Sequence, residues 1–168
     1  MNIKSAVTAA EIARLAALAA GKRVVEVGSL LGFSTVHLAR AACRVVAIDP
    51  HDGYPYYNPS PTLPEFLGNL ERFGVLPKVD VRVGYAQDWL PKLSEKHGSI
   101  SDNFGLTFID ATGFYEDTKF CLAHAPSPVI AVHDYGRRGC GGVEKAVKEF
   151  CWQTGKSFDV TGTLAVIQ

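Results

Sequence analysis

Short β-branched runs along the chain alternate with longer stretches in which apolar residues return at helical spacing. This is the pattern of a parallel sheet covered by helices. Seven runs read as strands: RVVEVG from 23, RVVAID from 44, VDVRVG from 79, GLTFID from 105, SPVIAVHD from 127, KSFDV from 156 and TLAVIQ from 163. Helical periodicity falls at 34–42, 63–74, 86–97, 115–124 and 141–154, and the opening MNIKSAVTAAEIARLAALAA reads as an Ala-rich amphipathic helix. Each connection among the first five runs is long enough for a right-handed crossover. The last two runs differ, because only Thr161 and Gly162 separate Val160 from Thr163, a spacing that suits an antiparallel hairpin. The expected fold is therefore α/β, a doubly wound and mostly parallel seven-stranded sheet with an antiparallel terminal strand. The stretch YPYYNPSPTLP at 54–64 reads as a long surface loop, either an active-site lid or an insertion.

Composition narrows the function classes. A chain of 168 residues that is 47% hydrophobic suits one well-cored unit, so a single domain over 1–168 is expected. Lys plus Arg equals Asp plus Glu at 17 each, without the basic excess that phosphate-backbone binding leaves, so nucleic acid is not an expected partner. Glu11 and Arg14 interrupt the apolar opening where a signal h-region or membrane span would need continuity. A cytoplasmic protein without a membrane partner is the expectation, with a homodimer open. Cys43, Cys121, Cys140 and Cys151 are scattered and form no C-x-x-C pair, so neither a disulfide framework nor a zinc site is suggested.

The candidate chemistry starts at VVEVGSLLGFST, 24–35, where a carboxylate and two glycines share the bend between a strand and a helix. A dinucleotide fingerprint G-x-G-x-x-G would need glycine at Leu30, so that reading fails. The spacing of Glu26, Gly28, Gly32 and Ser34 resembles the E-x-G-x-x-x-G-x-S loop of S-adenosylmethionine-dependent methyltransferases. Gly28 and Gly32 would let backbone approach such a cofactor, with Ser29 in the same loop, and Ser34 and Thr35 would cap the following helix. The resemblance implies that Glu26 lies near the sulfonium end. Asp49 ends the second strand run, where a carboxylate can accept both ribose hydroxyls. GYAQDWLPKL from 84 resembles the G-x-x-Q-D-x-x-P-x-L segment of catechol-type O-methyltransferases, which implies that Ala86 and Gln87 line the adenine site.

FIDATGFYED and VIAVHDYGRRGCGGVEKAV lie at the ends of the fourth and fifth strand runs. Asp110, Tyr115 and Glu116 in the first, and His133, Asp134, Tyr135, Gly142, Val143, Ala146 and Val147 in the second, resemble the type 24 methyltransferase-domain family. That family has a class I, Rossmann-like fold, and the resemblance spans roughly 20–168. It implies S-adenosylmethionine as cofactor and methyl transfer to a hydroxyl of a small-molecule acceptor. The family motif departs at Thr112 and Gly113, where its second Asp and its His would stand. Asp110 and His133 are the catalytic candidates, His133 either as a base or as a structural residue oriented by Asp134. Asp110 is also a cofactor contact, and with Asp134 it could share a magnesium ion, although Tyr135 stands where catechol-type enzymes place an Asn ligand. A cofactor-binding or partner-binding module with weakened catalysis is the alternative that Thr112 and Gly113 favour. A nicotinamide-dependent oxidoreductase is the third reading.

Overall fold

The N-terminal helix α1, Ala9–Ala19, starts where Thr8 accepts a hydrogen bond from the Glu11 N–H while the Glu11 carboxylate reaches back to the Thr8 N–H, a reciprocal capping box. Helix α1 is thus shorter than the 1–20 expected, and Ile12, Leu15 and Ala19 form its buried stripe. This computed structural model describes residues 2–53, 59–94, 103–111 and 113–168. The chain continues through β1 (Arg23–Val27), α2 (Phe33–Ala41), β2 (Arg44–Asp49), α3 (Leu63–Arg72), a 3-10 turn at Leu76–Lys78, β3 (Val79–Val83) and α4 (Ala86–Ser94). It ends with β4 (Phe104–Ile109), α5 (Tyr115–Ala123), β5 (Ile130–Val132), α6 (Gly141–Thr154), β6 (Phe158–Thr161) and β7 (Leu164–Ile167). Residues 95–97 of the expected fourth helix, and 54–58 of the Pro-rich loop, lie outside the described residues.

The strands form one seven-stranded sheet in the order β3-β2-β1-β4-β5-β7-β6. The first five strands are parallel, β7 runs antiparallel to β5, and β6 pairs antiparallel with β7 across the expected hairpin. Strand β5 is much shorter than the run from 127, in keeping with Pro128, which has no N–H to give a ladder.

Alternation along β1 divides the core. Val24 faces a cluster with Leu15 of α1, Leu38 of α2 and Leu70 of α3, whereas Val25 and Val27 face one with Leu90 of α4, Leu122 of α5 and Val147 of α6. Helices therefore cover both faces, three on each. The winding reverses between β1 and β4, so the loops after these two strands part at the carboxyl edge of the sheet, the position where this architecture opens a crevice. Among the described residues no helix is long and apolar enough to cross a membrane.

Candidate active site

The loop after β1 holds its shape through Asp49. One carboxylate oxygen of Asp49 accepts from the Ser29 and Leu30 N–H groups, both at 2.8 Å, and the other accepts from the His51 N–H at 2.7 Å. This binding accommodates Leu30 at φ 45° and His51 at φ 57°, left-handed conformations that cost energy in residues with a Cβ. Asp49 was expected to offer its lone pairs to a ribose. As placed it spends three hydrogen bonds on backbone, and about one of a carboxylate's four acceptor positions is left for a ligand.

Gly28 is required for a reason other than the one expected. At φ 90°, a Cβ here would stand 2.3 Å from the Asp110 carbonyl oxygen and 2.8 Å from the Ala111 Cα, so the first thing it would strike is β4's own outgoing backbone. Gly32, at φ 86°, is the N-cap of α2, and its Cβ would lie 3.1 Å from the Phe66 ring. With glycine as cap, Ser34 and Thr35 do not cap the helix as expected. They are buried inside it, and both hydroxyls hydrogen-bond the Glu26 carboxylate, that of Thr35 at 2.5 Å.

Glu26 is fully buried and its Oε1 has no partner among the described residues, as is also true of the buried Ser29 Oγ. Burial pushes the Glu26 carboxyl up to about 7, against the Ser34 and Thr35 hydrogen bonds, with the charges of Asp110 and Asp49 adding to the rise. Two orphaned polar atoms beneath a glycine loop mark a place where a polar ligand completes the hydrogen bonding. Ala86 and Gln87 begin α4 one strand further along, joined to the end of β2 by the Gly84 N–H donating to the Asp49 carbonyl; Ala86 is buried and Gln87 exposed.

On the other side of the crevice, His133 follows β5 with its side chain 1% exposed. Its Nδ1 lies 3.0 Å from Asp110 Oδ1 and 3.2 Å from Asp134 Oδ1, and its Nε2 lies 3.5 Å from Glu11 Oε2 and 3.3 Å from Thr163 Oγ1. Burial alone would lower its pKa, but the hydrogen bond and charge of Asp110, with the charges of Asp134 and Glu11, raise it to about 9. His133 is thus enclosed by carboxylates that favour its protonated form, an environment in keeping with the structural alternative. Asp110 is the more accessible of the pair, its side chain 25% exposed, and burial pushes its pKa upward. The Asp110 shift is thus driven by burial against the opposing pull of His133 and Arg137, whereas the His133 shift is driven by its acidic neighbours against burial.

Sequence reasoning passed over several of these partners. Glu11 accepts from the Thr163 N–H at 2.7 Å and hydroxyl at 2.9 Å, Arg137 donates to Asp134 at 2.7 Å, and Cys140 Sγ lies 3.8 Å from Asp134 Oδ2. The T-x-x-E spacing of Thr8 and Glu11 is a signal that could have marked the capping box, but nothing in it points to the distant contacts. Gly113 is backed by Cys140, since a Cβ there would stand 2.9 Å from the sulfur, so the thiol fills the side where the family's His would begin. Thr112 lies outside the described residues.

The sequence profile of a methyltransferase domain matches residues 25–135, more than half of the chain and the span that holds the glycine loop, Asp110 and His133. The chain belongs to this type 24 methyltransferase family. Over 100 residues it is 40% identical to a catechol O-methyltransferase of Mycobacterium tuberculosis, a match covering 58% of this chain and 39% of that protein. It is also similar to the crystal structure of cofactor-bound Rv0187 from MTB, with 29% identity, a TM-score of 0.70 and coverage of 98% of this chain and 82% of the other. The O-methyltransferase NovP has the same fold, with a TM-score of 0.79 at 17% identity over 99% of this chain and 82% of its own.

Proposed function

We propose that the protein binds S-adenosylmethionine in the crevice between the loops after β1 and β4 and methylates a hydroxyl of a small-molecule acceptor. The observation that carries this reading is the pair of buried, unpartnered oxygens, Glu26 Oε1 and Ser29 Oγ, under a glycine loop in a methyltransferase-family chain. The relatives named O-methyltransferases favour an oxygen acceptor. When bound, S-adenosylmethionine supplies an electrophilic methyl group on a positively charged sulfonium.

The chain's own residues then have three tasks. Glu26, in its carboxylate form, and Ser29 would hold the polar end of the cofactor, while the remaining acceptor position of Asp49 takes a ribose hydroxyl and Ala86 and Gln87 flank the adenine. Asp110 would take the acceptor's proton, since it follows β4 at the crevice with its side chain 25% exposed and its raised pKa makes it a stronger base than an ordinary aspartate. His133 donates to Asp110 and fixes its orientation without meeting the acceptor. In-line alignment and exclusion of water supply the rest of the rate.

A magnesium ion shared by Asp110 and Asp134 fits these residues poorly, because both carboxylates already contact cationic side chains, so no step is routed through one. Calorimetric titration with S-adenosylmethionine, followed by labelled methyl transfer to a panel of hydroxylated acceptors, tests the reading. Binding and turnover are expected. Absence of binding refutes it, and binding without turnover on any acceptor leaves the binding module as the better account.

A further inference from the structure

The family resemblance implies a divalent cation that Asp110 and Asp134 would hold. The ligand atoms of Asp110, His133 and Asp134 do come within 4.8 Å of one another. One nitrogen of His133 nevertheless already engages both acids, within hydrogen-bond range of the two Oδ1 atoms at 3.0 Å and 3.2 Å. Asp134 Oδ1 carries a second cationic partner in Arg137 Nη1 at 2.7 Å.

The ring is held from behind as well. Nε2 faces Glu11 Oε2 at 3.5 Å and Thr163 Oγ1 at 3.3 Å. Glu11 is itself fixed by the Thr8 N–H and hydroxyl and by the Thr163 N–H and hydroxyl, so the ring is seated against groups that are already held in place. The donor set also falls short, since a magnesium ion demands near-octahedral oxygen ligands at about 2.0–2.1 Å. Tyr135, which follows Asp134, packs its ring against Phe158 with centroids 5.3 Å apart and brings no amide oxygen. An incoming dication would meet two carboxylates already engaged by His133 and Arg137.

We propose that the His133 side chain permanently occupies the place of the divalent cation, so that methyl transfer in this protein is independent of metal. For its activity arm the proposal rests on the methyltransferase reading; its structural arm, exclusion of cations from the Asp110–Asp134 gap, does not.

The full chain is titrated with Mn2+ and followed by electron paramagnetic resonance, a readout that needs neither cofactor nor acceptor. The unsubstituted protein is expected to show no stoichiometric site, and the double variant His133→Val, Tyr135→Asn to gain one at least about 10-fold tighter than any residual binding. Circular dichroism reports whether that variant folds; if it does not, the unsubstituted protein decides alone. One tightly held Mn2+ in the unsubstituted protein, lost in Asp110→Asn, overturns the proposal. So does activity that disappears on chelation and returns with Mg2+. If S-adenosylmethionine does not bind at all, the proposed function fails, while the Mn2+ result still decides the fate of the gap.

Discussion

Glu26 is the residue whose chemistry changes most between sequence and structure. The motif marked it as a carboxylate near a cation, but the structure buries it completely and lifts its pKa to about 7. The sign of the consequence follows from linkage. Because the folded pKa lies above the ordinary value of 4.5, the stability this shift contributes is fully present below pH 4.5 and is lost as pH rises through about 7. A bound sulfonium or ammonium group would favour the ionised form, so binding should release a proton below pH 7. S-adenosylmethionine affinity is therefore expected to fall by up to about 5-fold between pH 7 and pH 6, and Glu26→Gln should flatten that dependence. Calorimetry in buffers of different ionisation enthalpy measures the proton directly, and an equal pH slope in the variant would remove Glu26 from the site. Gly28 makes the complementary point, because the motif gives the right residue for an incomplete reason. With the Asp110 carbonyl 2.3 Å from a Cβ at this position, Gly28→Val should cost more than about 3 kcal/mol of stability, read as a lowered urea midpoint, whether or not ligand is present.

At the scale of elements, the order of helices and strands was legible because each is written in local periodicity, and the closing hairpin because Thr161 and Gly162 leave no room for a crossover. What escaped was the set of contacts between elements distant in sequence. Glu11 and Thr163 are separated by 152 positions, and nothing near Glu11 signals that it will tie α1 to the turn before β7 and face His133. The hydroxyls of Ser34 and Thr35 were assigned to capping by their place in the chain, whereas Gly32 as N-cap turns them toward Glu26. For α1 the expectation is quantitative. Glu11→Ala removes the acceptor of the capping box and of Thr163 and leaves His133 short of one counter-charge, so a loss of about 3–5 kcal/mol is expected, as for a broken buried pair. Thr8→Ala removes the hydroxyl that caps the Glu11 N–H and donates to its carboxylate but leaves the Thr163 bonds, and should cost about 1 kcal/mol. Thermal denaturation of both variants checks the ratio, and equal losses would mean that Glu11 acts as a cap alone.

For the molecule as a whole, equal numbers of acids and bases conceal an uneven placement. The carboxyl edge of the sheet gathers Glu26, Asp49, Asp110 and Asp134, and α1 brings Glu11 to the same region. This gathering was legible in part, because strands that run parallel must deliver their terminal acids to one edge. The compensation was not, since it comes from a histidine buried between α1, β4 and the segment after β5. The groups facing His133 are Glu11 from α1, Asp110 from the end of β4, the adjoining Asp134 with its partner Arg137, and the Thr163 hydroxyl before β7. Together they raise its pKa from 6.5 to about 9. A folded pKa above the unfolded one stabilises fully below pH 6.5, and that contribution is lost as pH climbs through about 9. The melting temperature is therefore expected to decline by roughly 5 °C or more between pH 7 and pH 9.5, where an ordinary surface histidine would contribute no slope. His133→Gln, which keeps a donor but cannot hold the charge, should lower the melting temperature at pH 7 and flatten the profile above it. Differential scanning calorimetry across that range gives the answer. A variant that retains the parent's alkaline slope would show that another group carries it, and that His133 is not the cation around which this edge of the sheet is built.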